Sequence, residues 1–224
     1  MMKDEIELII DYPAKIATQL IDDEIDIGLI PVAVLPQLKE YHIISDFCIA
    51  ADGEVASVCL FSDVPLNEIN TILLDYQSRT SVALLKVLLK EHWKICPNLV
   101  QASQGYEEAI SGNTAGLVIG DRALQQRLKS TYIYDLSQAW KELTGKPFVF
   151  AAWVSNKQMT TQFITEFNEA NKFGLEHIDQ VVVENTYSTY DLHRYYTDNI
   201  KFEPRFDKLE VITLFLEKLK AMEI

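Results

Sequence analysis

The chain has 224 residues, 20 Lys and Arg against 33 Asp and Glu, a net charge of −13, and 48% hydrophobic residues. So apolar a chain can bury a core, which argues against disorder, and its acidity argues against nucleic acid or an anionic membrane as partner, since both need clustered cations. A small anion is not excluded, because helix N-termini and one Arg build a local positive site.

In chain order, Glu5–Ile10 is a β-type run stopped by Asp11-Tyr12-Pro13, and Pro13 suits a first helical turn. Ala14–Ile21 has helical spacing, and Ile25–Ile30 is apolar and ends at Pro31, so the three predict a βαβ unit of a parallel sheet. Ala50-Ala51-Asp52-Gly53 is a turn signal before the strand Val55–Phe61, which Ser57 interrupts with a hydroxyl that needs a partner if buried. Thr71–Leu74 predicts a strand, Asp75–Arg79 a polar loop, and Thr80–His92 a helix capped by Ser78 or Thr80. Ala115–Ile119 is a buried strand ending at Gly120-Asp121, with a helix over Arg122–Leu128. Asp135–Leu143 is helical and stops at Gly145, and Phe148–Val154 is strongly β in type. Helical patterns run over Thr160–Phe173, break near Asp179, and return over Thr189–Thr197 and Lys208–Met222. The strands Val55–Phe61 and Phe148–Val154 bracket a self-contained block, as when one domain is inserted into another. This predicts an α/β protein of two lobes, 1–64 with 146–224 and 65–145, and a ligand cleft between them.

Four places carry candidate chemistry. Gln77-Ser78-Arg79-Thr80-Ser81, between strand and helix, reads equally as a carboxylate or phosphate site and as an ordinary capping cluster with a solvent-facing Arg. It lacks the Gly spacing and Lys of a nucleotide loop. Asp121 reads first as a helix cap and second as a cleft residue beside a close backbone approach at Gly120. Ser57, on its pattern alone, reads as a core hydroxyl. Tyr187, Tyr190, Tyr195 and Tyr196 read as packing. His42, His92, His177 and His193 lack metal-ligand spacing. Cys48, Cys59 and Cys96 form no CxxC pair, which predicts a reducing, cytoplasmic setting, and no signal peptide or membrane-length apolar run is visible.

Several phrases taken together carry a resemblance: Ile25-Asp26-Ile27-Gly28-Leu29-Ile30-Pro31-Val32-Ala33, Cys48–Gly53, Ser57-Val58, Leu60-Phe61-Ser62, Ser78–Ser81, Leu117–Asp121, Tyr134-Asp135-Leu136 with Trp140, and Thr144–Ala151 with Trp153. In this order and spacing the chain resembles the chorismate dehydratase family of the futalosine route to menaquinone. The resemblance implies the type 2 periplasmic-binding-protein fold without export, and loss of water from chorismate to give 3-[(1-carboxyvinyl)oxy]benzoate with no metal or organic cofactor. It implies that Ser57 is the active-site serine, overriding the core reading. Ser78, Arg79, Thr80 and Ser81 would hold a substrate carboxylate, and Gly120, Asp121 and Phe148 would line the opposing wall. The family's Ser-Tyr-x-Asn-Thr motif, which precedes the strand that Glu5–Ile10 resembles, has no counterpart. The expectation is a shortfall of about 20 residues, with poor solubility or no turnover for the chain as given. Two other readings stay open: dihydroxynaphthoate synthase of the same pathway, which shares the fold, and a non-catalytic binding protein for an aromatic or dicarboxylic anion.

Overall fold

The computed structural model describes residue 2 and residues 5–222. Two sheets organise the chain. The first has three strands, β1 (Ile27–Pro31), β2 (His42–Ala51) and β8 (Phe148–Ser155), with β8 in the middle and antiparallel to both neighbours. The second has five strands, β3 (Val58–Ser62), β4 (Thr71–Leu74), β5 (Asn98–Gln101), β6 (Thr114–Ile119) and β7 (Tyr132–Asp135), in the order β5-β4-β6-β3-β7. Within it β4 runs parallel to β5 and β6, and β3 antiparallel to β6 and β7.

Helix α1 (Pro13–Ile21) precedes β1, with Pro13 at its first turn, and buries Ala14, Ile16, Ala17 and Leu20 at helical spacing. Helix α2 (Arg79–Val87) follows β4, and Ser78 caps it by accepting from Ser81 N. After β6 comes α3 (Gly120–Gln126), and after β7 comes α4 (Leu136–Thr144), capped by Asp135 and ended by Gly145 at φ 71°. A left-handed C-terminal residue of this kind is cheap only for glycine. Beyond β8 lie α5 (Thr161–Glu176), α6 (Ile178–Glu184), α7 (Leu192–Arg194), which runs on into a wide turn over Tyr195–Asn199, and α8 (Lys208–Ala221).

All five residues of β3 are buried, because both faces of its sheet are covered. Leu60 and Leu117 point into the main core, which runs through both sheets. Cys59, Phe61 and Val118 point to the opposite face, against Tyr106, Ile110 and Ala123. This is the two-residue alternation of strands at work. The centre of the main core is aromatic: Phe148 meets Trp140 at 5.2 Å and Phe215 at 4.9 Å between ring centroids, both edge-on.

Three expectations need correction. Glu5–Ile10 pairs with no strand among the described residues, and all six of its residues are exposed. β1 is hydrogen-bonded to antiparallel β8, so the βαβ unit read at the start of the described chain does not form. Strand β3, placed by sequence in the lobe of residues 1–64, hydrogen-bonds in the second sheet. The chain therefore leaves the first sheet before residue 58, not after 64. Periodicity shows that a segment is a strand but not which edge it joins. Strands β2, β5 and β7 carry no clear strand signal in the sequence pattern. Among the described residues, no helix is long and apolar enough to cross a membrane.

Candidate functional site

Ser57 is the residue just before β3, and its position is set by a strained turn. Ser57 N donates to Val55 O at 2.8 Å, and Ala56 between them has φ 65°. This is a γ-turn with positive central φ, the rarer and strained form. A residue with a Cβ pays for that conformation unless its surroundings hold it. Here they do. Val55 N and Ala56 N both donate to Asp135 Oδ2, at 3.0 and 2.8 Å. Arg127 Nη1 donates to Ala56 O at 3.2 Å, and its Nη2 meets Glu54 Oε1 at 2.7 Å. Asn199 Nδ2 donates to Glu54 O at 3.0 Å. Burial is the main influence on Asp135 and pushes its carboxyl up, against the pull of its backbone N–H donors.

The Ser57 hydroxyl lies 2.7 Å from Tyr195 Oη. Burial pushes the Tyr195 phenol up to about 12, only partly offset by the bond to Ser57. Either hydroxyl can be the donor in this pair. Burial first, and the Asp121 charge second, raise Tyr196 as well. Tyr187 Oη donates to Asp121 O at 3.1 Å. Gly120 N donates to Ser57 O at 2.8 Å, and Gly120 itself turns with φ 63°, with open space where a side chain would stand. The structure thus brings Ser57, Gly120 and Asp121 together, and adds Tyr195, which by sequence pattern alone reads as packing. A tyrosine-rich run was the only signal, and packing tyrosines look the same.

The helix-start cluster forms a second part of the same sheet edge. Val58 pairs with Ile119, and Leu73 pairs with Gly116. Continued to the strand ends, this register puts Tyr76 level with Ile119. The loop after β4 therefore stands two strand spacings from Ser57, about 10 Å. A cavity of about 600 Å³ opens here, lined by Asp75, Tyr76, Ser78 and Arg79 from the second sheet's side, and by Thr18 and Gln37 from the first's. Arg79 spans it, donating to Thr18 Oγ1 at 2.8 Å and Gln37 Oε1 at 3.4 Å. The hydroxyls of Ser78, Thr80 and Ser81 are engaged within the protein. Ser78 Oγ accepts from Ser81 N at 3.1 Å and lies 2.8 Å from Ser81 Oγ, while Thr80 Oγ1 accepts from Ala33 N at 3.1 Å. Of these four, Arg79 is the side chain most available to an anion.

Arg122 ties the two parts of the edge together. Its Nη2 meets Asp75 Oδ2 at 2.8 Å and Gln77 Oε1 at 2.9 Å, and its Nη1 meets Glu107 Oε1 at 2.6 Å. Phe148, expected to line the wall, is fully buried between Trp140 and Phe215. An apolar ring at the start of the central strand packs inward, so the wall assignment is corrected. Among the described residues, no group of three or more His, Cys, Asp and Glu has the arrangement to hold a metal ion.

Known proteins share this architecture. A protein from Archaeoglobus fulgidus superposes with a TM-score of 0.68 at 16% identity, covering 97% of this chain and 85% of its own. The periplasmic aliphatic sulphonate binding protein from Escherichia coli does so with a TM-score of 0.57 at 11% identity, covering 95% and 79%. The fold is the two-lobed α/β fold of periplasmic binding proteins. In sequence, the chain is 29% identical over 189 residues to the chorismate dehydratase of Thermus thermophilus, a match covering 75% of this chain and 69% of that protein. It is 30% identical over 149 residues to the chorismate dehydratase of Campylobacter jejuni, covering 62% and 65%. The matches thus span about two thirds of those relatives. Because the family model described as menaquinone biosynthesis matches residues 1–221, the chain belongs to the menaquinone biosynthesis family.

Proposed function

We propose that the protein dehydrates chorismate to 3-[(1-carboxyvinyl)oxy]benzoate, as a hydro-lyase working in the cytoplasm. The observation that carries this reading is the Ser57 hydroxyl, backed by Tyr195 at 2.7 Å and set on a strained turn at the sheet edge. The two chorismate dehydratases among the relatives supply the substrate class.

The reaction asks little covalent chemistry of a protein. A ring C–H breaks, its electron pair becomes part of the aromatic ring, and the neighbouring C–O bond breaks. The departing hydroxide takes up a proton and leaves as water. The C–H is vinylogous to the ring carboxylate, so polarising that carboxylate acidifies it. The driving force is aromatisation, and the protein's task is to orient a dianion and stabilise charge as it moves. In this reading Tyr195 donates to Ser57, which leaves the serine O–H to donate to a substrate oxygen. Tyr195 stays a neutral phenol across the working pH range, because its value lies near 12. In this reading Arg79 receives a carboxylate in the cavity, and the backbone at Gly120 and Asp121 forms the wall nearest Ser57.

The test is to add chorismate to the purified protein and follow loss of the diene absorbance and appearance of the benzoate product. Ser57→Ala is expected to lower turnover by about a hundredfold or more, the scale for losing one oriented donor. Unchanged turnover in that variant would remove Ser57 from the chemistry. Chorismate binding without turnover by the parent favours the binding-protein reading. Turnover by the 224-residue chain refutes the expectation of an incomplete site.

A further inference from the structure

We propose that Asp135 is a positioning residue: its carboxylate holds the Ala56 γ-turn in the left-handed conformation that aims the Ser57 hydroxyl at Tyr195. The inference rests on the reading of Ser57 given above and deepens it.

Asp135 lies 78 positions from Ser57 in sequence, at the end of β7, the edge strand beside β3. Cys59 pairs with Asp135 across that edge, so the carboxylate reaches the backbone just ahead of β3. Its two oxygens have separate duties. Oδ1 accepts from Ser137 N at 3.0 Å and Gln138 N at 3.1 Å, capping α4. Oδ2 accepts from Val55 N and Ala56 N. An N-cap needs only the first pair of bonds. The second pair stabilises no helix and no sheet; it fixes two successive amides of a turn whose central residue carries a Cβ at positive φ. Release of that turn lets Ala56 return to negative φ, and such a change swings the next residue. Ser57 then loses its line to Tyr195. Arg127 supports the turn from the carbonyl side, through its bond to Ala56 O. A neutral Asn at 135 presents one acceptor oxygen instead of two, so it can serve the cap or the turn but not both.

The experiment compares the parent with Asp135→Asn, with Asp135→Asn plus Ala56→Gly, and with Ser57→Ala. Crystal structures and chorismate kinetics are read together. In Asp135→Asn, the expected result is a negative φ at Ala56 and a Ser57 Oγ beyond hydrogen-bond reach of Tyr195. The expected kinetic result is a kcat lower by about a hundredfold, the cost of an ångström-scale misplacement, with KM nearly unchanged. Adding Ala56→Gly is expected to restore the positive φ and most of kcat, because glycine takes that conformation without a side-chain penalty. A helix-cap defect alone would lower the melting temperature and would not respond to residue 56. If Asp135→Asn does not fold, Arg127→Leu tests the same turn from its other side, with the same structural readout. A positive φ and an intact Ser57–Tyr195 bond in the folded variant overturn the proposal, whatever the kinetics. If Ser57→Ala is inactive while Asp135→Asn keeps its kcat, positioning by Asp135 fails and the reading of Ser57 stands. If Ser57→Ala is as active as the parent, the reading of Ser57 fails, and the variant structures still decide whether Asp135 sets the turn.

Discussion

Tyr195→Phe removes a single oxygen and leaves the ring in place, so its effect can be worked out from one contact. Near neutral pH, the loss is the 2.7 Å bond to Ser57, a residue only 4% exposed. A net hydrogen bond plus a buried hydroxyl left short of a partner costs about 1–2 kcal/mol. At about 2–4 °C per kcal/mol for a chain of this size, the melting temperature should fall by about 2–8 °C. The alkaline side gives a second, independent reading. The folded phenol titrates near 12, and the unfolded one near 10. Between those values the unfolded chain has released a proton that the native protein keeps, so stability falls as pH rises through the window. The phenol's contribution is whole below pH 10 and lost as pH passes about 12. At about pH 11 the loss is about 1.4 kcal/mol, half of the two-unit window. The phenylalanine variant has no such loss. The stability gap between the two proteins should therefore shrink from about 1–2 kcal/mol at about pH 8 to near zero at about pH 11. Urea unfolding of both proteins at the two pH values measures the gap directly. Taking the difference cancels Cys48, Cys59 and Tyr106, whose burial also raises them and which titrate in both proteins. A gap that is the same at both pH values would refute the assignment of a raised phenol at Tyr195, and a variant indistinguishable from the parent at about pH 8 would refute the Ser57 bond.

Three further outcomes follow from the packing. Arg122→Ala takes the guanidinium from the fully buried Asp75 carboxylate and leaves it Gln77 N and the Tyr106 hydroxyl as donors, and should cost about 3–5 kcal/mol by denaturant unfolding, with much of it recovered when Asp75→Asn is added; a loss below about 1 kcal/mol would mean that those donors and water suffice for the charge. Phe148→Ala should cost about 3–5 kcal/mol through the cavity left among Trp140, Phe150 and Phe215, and a variant that instead kept its stability but lost chorismate affinity would return Phe148 to the cleft wall. Under native conditions iodoacetamide should modify exposed Cys96 alone, since burial pushes the Cys48 thiol up to about 12 and raises the Cys59 thiol as well; mass spectrometry showing a second adduct in the folded protein would contradict the burial of the other two.

Much of the fold was legible because it is written in local patterns. Thr71–Leu74, the helix after it, the buried strand before Gly120, and the stop at Gly145 were all read from periodicity and turn chemistry, and stand within a few residues of where the structure has them. The missed strands are of two kinds. β5 and β7 are four-residue edge strands, exposed or half-buried along their length, with little apolar signal. β2 is ten residues long, but Ser45 and Asp46 break its apolar run. They are accommodated by partners far along the chain: Ser45 Oγ donates to Asn168 Oδ1 at 2.7 Å, and Asp46 N to the same oxygen at 3.2 Å.

The site divides along the same line. Ser57, Arg79, Gly120 and Asp121 were visible as residue types at strand ends, and strand ends are where this fold binds. Tyr195 and Asp135 were not visible as parts of a site, because their partners lie 138 and about 80 residues away.

Length, composition and charge determined that the chain can bury a core, and that any positive potential for an anion must be local. Only the tertiary structure decided where that potential sits. It pairs β3 with β6 and β7, brings Asp135 under the Ala56 turn, and brings Tyr195 to Ser57. Local sequence fixes which face of a segment is apolar, through side-chain periodicity. The choice of partner strand, and with it the strain that a turn can hold, depends on contacts between distant segments that form only when the whole core closes.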